Sequence, residues 1–240
     1  MTANQLKTFE MDGIRFVQDN RAGKDRGKST CHEFILVKTD IFLDFYRGLR
    51  SRKPKHVLEV GMFEGGSMVL FDKLYNPDKL VGIDIRKSIP ALDEYRRDRP
   101  YIDTLYGVSQ DSADLPRILS RHFPEGIDLI VDDASHHYTL SRDTFQLTFP
   151  LLKPGGLYVL EDWSWSHKHS SQLETHPWHD KPALTNLVLE LVINMPNSHL
   201  MDKITVLRDM VVVEKAGEAK GTIDLDRGHS DLRGRKLQII

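Results

Sequence analysis

Two short acidic stretches carry the chemistry of this chain. Asp132-Asp133-Ala134-Ser135-His136-His137 follows the mostly apolar run Ile127-Asp128-Leu129-Ile130-Val131, which predicts a buried strand. Leu157-Tyr158-Val159-Leu160 is a second apolar run, and it too ends in acids, Glu161-Asp162. Two neighbouring strands of this kind aim carboxylates at one spot beside an imidazole. In open α/β sheets that spot, beyond the carboxyl ends of the strands, is where ligands bind.

The surrounding elements are those that place such loops. His56-Val57-Leu58-Glu59-Val60 reads as a strand running into Gly61-Met62-Phe63-Glu64-Gly65-Gly66-Ser67, and a helix follows with Met68, Leu70, Phe71 and Leu74. Glycines let a backbone approach a ligand, and N–H groups at the helix start face it. The next strand, 80–85, carries Asp84 near its end, about 20 residues past the turn, where such folds bind ribose hydroxyls. A third strand is expected at 102–108, followed by Ser109-Gln110-Asp111-Ser112, then helices near 113–122 and 139–149. Lys153-Pro154-Gly155-Gly156 is a turn signal. A helix at 183–194 precedes two tightly joined strands, 203–208 and 210–214, which must be antiparallel. The fold class is therefore α/β: a Rossmann-like, doubly wound, seven-stranded and mostly parallel sheet with a terminal antiparallel hairpin, helices on both faces.

Outside this frame, residues 1–54 read as an N-terminal helical segment. It holds a charged run, 20–28, that is either a solvated loop or a lid over a polar ligand. Phe34, Val37, Ile41, Phe45 and Leu49 give a helical stripe over 33–50. Residues 55–215 form the main domain, and 216–240 a flexible or subunit-contacting tail. The Trp- and His-rich loop 163–182 is unusually long for a compact domain. Its histidines 167, 169, 176 and 179 lack a finger-like spacing and a cysteine partner, so a polar loop is preferred to zinc.

Composition narrows the class. Lys plus Arg number 33 and Asp plus Glu 35, so no basic excess points to nucleic acid or a membrane surface. No apolar run reaches the roughly 18 residues of a bilayer span, and the N-terminus lacks a signal peptide's apolar core. One cysteine, Cys31, excludes an internal disulfide. A cytoplasmic protein is expected.

The turn Gly61-x-x-x-Gly65-Gly66 differs from the Gly-x-Gly-x-x-Gly of dinucleotide folds, which disfavours a dehydrogenase. Together with Asp84, Asp111 and the terminal hairpin it resembles the class I S-adenosylmethionine-dependent methyltransferases, over roughly residues 55–215. The two acidic loops, Asp-Asp-Ala-Ser-His at 132–136 and Pro-Gly-Gly-Leu-Tyr-Val-Leu-Glu-Asp at 154–162, resemble those of the rhamnosyl O-methyltransferase and cephalosporin-hydroxylase-type family. That resemblance implies a magnesium ion, or another divalent cation, on Asp133, Glu161 and Asp162, with His136 as the base. It further implies that Glu59, Gly61, Gly65, Gly66 and Ser67 line the methionine and ribose part of S-adenosylmethionine. Asp84 would take the ribose hydroxyls, and Asp111 and Ser112 would lie near the adenine. Asp132 either contacts cofactor or metal or bonds loop N–H groups. Trp163 and Trp165 are candidates for a substrate wall, and His137 is the rival imidazole.

These residues suit that chemistry. Magnesium prefers oxygen ligands and keeps open positions, and a metal-bound hydroxyl is more acidic. Imidazole can take the proton as the oxygen attacks a methyl group held in line. The expected activity is O-methylation of a deoxysugar hydroxyl, rhamnose-like, on a free, nucleotide-linked or glycosylated natural product, by a homo-oligomer. Two alternatives stand beside it: a component of a β-lactam hydroxylation or methoxylation system that needs a partner protein, and a non-catalytic cofactor-binding module.

Overall fold

A computed structural model describes residues 6–21, 25–217, 221–226, 233, 235 and 238–240. Part of the charged run and much of the expected tail therefore lie outside the described residues. The chain divides into two compact units, Met1–Val108 and Ser109–Ile240.

The first unit opens with strands inside the stretch expected to be an N-terminal helical segment. β1 (Lys7–Met11) and β2 (Ile14–Gln18) pair antiparallel, with Met11 opposite Ile14. Asp12 and Gly13 make the turn with φ of 47° and 76°. An Asp-Gly pair at positive φ matches the right-handed twist of a hairpin, and glycine adopts that conformation at little cost. β3 (Glu33–Leu36) adds parallel to β2, Phe16 beside Phe34.

The helical stripe expected over 33–50 is corrected accordingly. Helix α1 spans only Asp40–Gly48 and buries Phe42, Leu43 and Tyr46, while Ile41 is exposed. Phe34, Ile35 and Leu36 find their partners across a sheet, and aromatic and β-branched residues suit that pleated surface. The remainder of the unit is βαβαβ: β4 (His56–Val60), α2 (Gly66–Tyr75), β5 (Lys79–Asp84), α3 (Pro90–Tyr95) and β6 (Ile102–Tyr106). β5 pairs parallel with both β4 and β6. α3 gave no clear signal in the sequence. Pro90 starts it at the first helical turn, where its missing N–H is not needed.

The second unit runs α4 (Leu115–His122), β7 (Ile127–Asp132), α5 (Tyr138–Thr148), β8 (Leu152–Glu161), α6 (Thr185–Asn194), β9 (Met201–Val206) and β10 (Met210–Lys215). β7 and β8 are parallel, with Asp132 level with Leu160. β10 lies antiparallel between β8 and β9. The sheet order is β6-β5-β4-β7-β8-β10-β9, the expected mostly parallel arrangement closed by a hairpin. The near-continuous apolar runs of β7 and β8 are almost wholly buried, as parallel strands demand.

Two parts of the expected tail pack onto this unit. Leu225 is buried, and its backbone N–H donates to Gln146 Oε1. The Ile240 carbonyl accepts from the Ala183 N–H and from Asn186 Nδ2, each at 2.8 Å. Among the described residues no helix is long and apolar enough to cross a membrane.

Candidate metal centre and cofactor turn

Register delivers the acids. Asp132 ends β7 and Glu161 ends β8, so the chain leaves both strands at the same edge of this parallel pair. Past those ends, Asp133, His136 and Asp162 each bring one ligand-capable atom to a common place, all within 4.8 Å of one another. All three residues are half-buried. His136 Nε2 is 3.6 Å from Asp133 Oδ1. Glu161 is buried and does not join this group of three.

The backbone at this place is unusual. His136 has φ of 55° and Asp162 φ of 52°. L-residues with side chains seldom adopt this left-handed region, and it costs on the order of 1 kcal/mol or more. Strain of this kind collects at functional sites, where the surroundings over-determine it. Here several contacts do so. The Asp162 N–H donates to the Asp209 carbonyl at 2.7 Å. Ser164 Oγ donates to Asp209 Oδ1 at 2.6 Å. The Ser135 N–H donates to Oε1 of buried Gln110 at 3.1 Å, fixing the other loop. Lys168 Nζ stands 3.6 Å from Asp162 Oδ1 and 3.8 Å from Asp209 Oδ1.

Behind this place lies Asp132, 1 % exposed, whose Oδ2 accepts from the Tyr158 hydroxyl at 2.8 Å. Burial pushes its carboxyl up to about 6, against the Tyr158 hydrogen bond. Burial also lowers the His137 imidazole, assisted by Lys181 and His136. The His137 ring packs against Trp178 at 5.1 Å between centroids. Trp163 Nε1 donates to the Leu207 carbonyl and Trp165 Nε1 to the His136 carbonyl, each at 2.9 Å. The histidines of the long loop stay apart from the acidic group. His176 stacks on Trp165, and His167 Nε2 meets Thr185 Oγ1.

The donor set fits a cation. Two carboxylates and an imidazole converge, with the half-exposed Lys168 beside Asp162. Carboxylate oxygens suit magnesium or manganese, and the imidazole tolerates the latter.

In the first unit the glycine turn is stitched to β5. Asp84 Oδ2 accepts the N–H groups of Met62 (2.9 Å) and Phe63 (3.2 Å), and Oδ1 accepts that of Arg86 (2.9 Å). A carboxylate has about four acceptor sites, so one remains for a ligand hydroxyl. Glu59 is fully buried at the end of β4, and Ser67 is buried in the first turn of α2. Gly61 has φ of 91° and donates to the Ile83 carbonyl.

Gly65 and Gly66 have steric reasons of their own. A Cβ on Gly65, at φ of 80°, would stand 2.8 Å from Leu92 Cβ. One on Gly66 would stand 2.0 Å from the Ile35 carbonyl oxygen. The first-turn N–H groups of α2 have no intrahelical partner, which suits them to an anionic or polar ligand. In the second unit Asp111 is exposed and accepts from the Ser109 hydroxyl, while Ser112 Oγ accepts from the Asp114 N–H.

Sequence reasoning missed Asp209, Lys168, Gln110 and the hydrogen bond from Trp165 to His136. Asp209, Gln110 and the Trp165 bond act across 25 residues or more, and no local pattern reports such contacts, while Lys168 lies only six residues from Asp162.

This chain resembles known proteins over part of its length. Residues 58–163 match the family model described as a methyltransferase domain. Mycinamicin VI 2''-O-methyltransferase of Micromonospora griseorubida is 32 % identical over 124 residues, 49 % of this chain and 29 % of that protein. The 8-demethyl-8-(2-methoxy-alpha-L-rhamnosyl)-tetracenomycin-C 3'-O-methyltransferase of Streptomyces olivaceus is 30 % identical over 131 residues, 52 % of this chain and 31 % of that protein. Among solved structures, the MycE methyltransferase of the mycinamycin biosynthetic pathway, in complex with Mg and SAH, superposes with a TM-score of 0.57 at 26 % identity. That match covers 78 % of this chain and 51 % of the other. The chain thus spans about half the length of that structure and less than a third of these two curated relatives. Over residues 58–163 this chain is therefore similar to a methyltransferase domain.

Proposed function

We propose that this chain is a divalent-metal-dependent, S-adenosylmethionine-using O-methyltransferase whose acceptor is a hydroxyl of a deoxysugar, rhamnose-like, on a natural product. The observation that carries the reading is the convergence of Asp133, His136 and Asp162 on left-handed backbone just past β7 and β8. The O-methyltransferase names of the relatives above favour it over the β-lactam alternative.

In this reading Asp133, Asp162 and the neighbouring Glu161 hold the cation. Glu59, Gly61, Gly65, Gly66, Ser67 and Asp84 bind the methionine and ribose part of the cofactor. When bound, S-adenosylmethionine supplies an electrophilic methyl group, and the cation makes a neighbouring hydroxyl more acidic while fixing its direction. The protein's own part is positioning and proton transfer. His136 Nε2 accepts the proton that the acceptor hydroxyl sheds. Asp133, 3.6 Å from that nitrogen, stabilises the imidazolium that results. The long Trp- and His-rich loop shapes the acceptor side, and the protein works as a homo-oligomer in the cytoplasm.

Calorimetric titration with S-adenosylmethionine, with and without Mg²⁺, tests the reading when repeated on Asp133→Ala. Cofactor binding in both proteins, with the Mg²⁺ response confined to the wild type, is expected. No cofactor binding to the wild type overturns it. Methyl transfer to a rhamnosylated acceptor and sedimentation velocity then test the acceptor and the assembly.

A further inference from the structure

We infer that Trp165 is a positioning residue for the acidic centre: its two N–H groups hold the main-chain carbonyls of the two left-handed residues that supply the imidazole and one carboxylate. The inference rests on the proposed metal centre. The Trp165 main-chain N–H donates to the Asp162 carbonyl at 3.2 Å. Its indole N–H donates to the His136 carbonyl at 2.9 Å, across 29 residues of sequence. One residue thus bridges both loops at the atoms whose orientation follows the strained dihedrals.

His136 and Asp162 each hold an unfavourable φ, and relaxation to an ordinary φ would swing each side chain away from the common place. A hydrogen bond to each carbonyl opposes that rotation directly. The Trp165 ring is itself held. His176 lies nearly parallel to it, 17° and 6.2 Å away, and Trp178 meets it edge-on at 77° and 5.0 Å. With 7 % of the residue exposed, the ring has little surface left for a ligand, so a packed clamp explains it better than a substrate wall. Trp163 is the internal control. It sits two residues away with the same chemistry, but its indole N–H goes to Leu207 rather than to a residue of the centre.

The test is the Mn²⁺ affinity of Trp165→Phe and Trp163→Phe, read by the loss of the free-ion electron paramagnetic resonance signal, with thermal unfolding in parallel. Phe keeps an aromatic ring and removes the indole donor, and the same change at Trp163 controls for the smaller ring. Trp165→Phe is expected to weaken Mn²⁺ binding about 10-fold, in the range by which groups that orient metal ligands act, while staying folded. Trp163→Phe is expected to stay within about twofold of wild type. Unchanged affinity in Trp165→Phe, or an equal loss in both variants, overturns the inference. Wild type that binds no Mn²⁺ overturns the metal reading and the clamp together.

A second readout needs no variant. In ¹⁵N-tryptophan-labelled wild type, the inference expects the Trp165 indole proton to exchange slowly with water and its resonance to move on Mg²⁺ addition. Rapid exchange overturns the clamp.

Discussion

His136 Nε2 lies 3.6 Å from Asp133 Oδ1, three residues away on the loop that leaves β7. In this pair the carboxylate can serve two masters, a cation and the imidazolium. Separating them is a matter of choosing the variant. Asp133→Asn keeps the shape and removes the charge, so it is expected to lose metal affinity by 10-fold or more and turnover with it. His136→Gln is expected to lower kcat by about 10²- to 10⁴-fold, the usual range for a general base, while Mn²⁺ affinity stays within about threefold. Parallel loss of metal binding in His136→Gln would move this residue from base to ligand.

Lys168 supplies the second prediction. Its ammonium stands 3.6 Å from Asp162 Oδ1 and 3.8 Å from Asp209 Oδ1, and the side chain is half exposed. A cation entering the centre meets a resident positive charge there. Water screens an exposed pair, so the effect is modest. Lys168→Met is expected to tighten Mg²⁺ binding about two- to fivefold at low salt, a gain that shrinks as ionic strength rises. Calorimetric titration at two salt concentrations checks both the sign and the trend. Weaker binding in the variant would place Lys168 among the supports of the centre rather than its competitors.

The glycine turn was legible as a turn, and the packing that fixes Gly65 and Gly66 was not. Their neighbours, Leu92 and the Ile35 carbonyl, are 27 and 31 residues away in the sequence. The same distance limit explains the other gaps. Runs such as His56–Val60 and Ile127–Asp132 announce themselves because parallel strands are apolar throughout. Phe34, Val37, Ile41, Phe45 and Leu49 fit a helical period by coincidence, because β3 and α1 abut and each contributes part of the stripe. The Asp12-Gly13 pair was a readable hairpin signal that a generally polar context obscured. At the centre, the acids and His136 stood out by type and spacing. The contacts that strain and hold them run through main-chain carbonyls, on which sequence carries no mark.

Gly66 allows that packing to be measured. Its missing Cβ leaves room for the Ile35 carbonyl, a backbone atom that cannot rotate aside. Gly66→Ala is expected to destabilise by about 2 kcal/mol or more, as overpacking against a fixed neighbour does. Gly107→Ala is the comparison. Unlike Gly66 it has positive φ, 71°, with nothing within 4 Å of the added Cβ, so only backbone strain of about 1 kcal/mol is expected. Urea unfolding midpoints of the two variants should rank in that order. Equal losses would mean that β3 shifts to admit the methyl group.

Asp19 is buried, and Arg21 grips both its oxygens, Nε to Oδ1 at 2.8 Å and Nη2 to Oδ2 at 2.7 Å. The Gly27 N–H adds a bond to Oδ2 at 3.0 Å. The Arg21 hydrogen bonds hold this carboxyl well below the ordinary carboxylate range, and burial opposes them only in part. A depressed folded-state value means that the unfolded chain binds the proton first as pH falls. The contribution of Asp19 to stability is therefore complete above the unfolded value of about 3.9, and it is lost progressively below it. Asp19→Asn is expected to be less stable than wild type at pH 6, with the gap closing as the pH falls below about 4. Unfolding free energies measured from pH 6 down to pH 2.5 for both proteins check this. A gap that stays constant across that range would show that the carboxylate's charge is not what ties Arg21 and Gly27 to the end of β2.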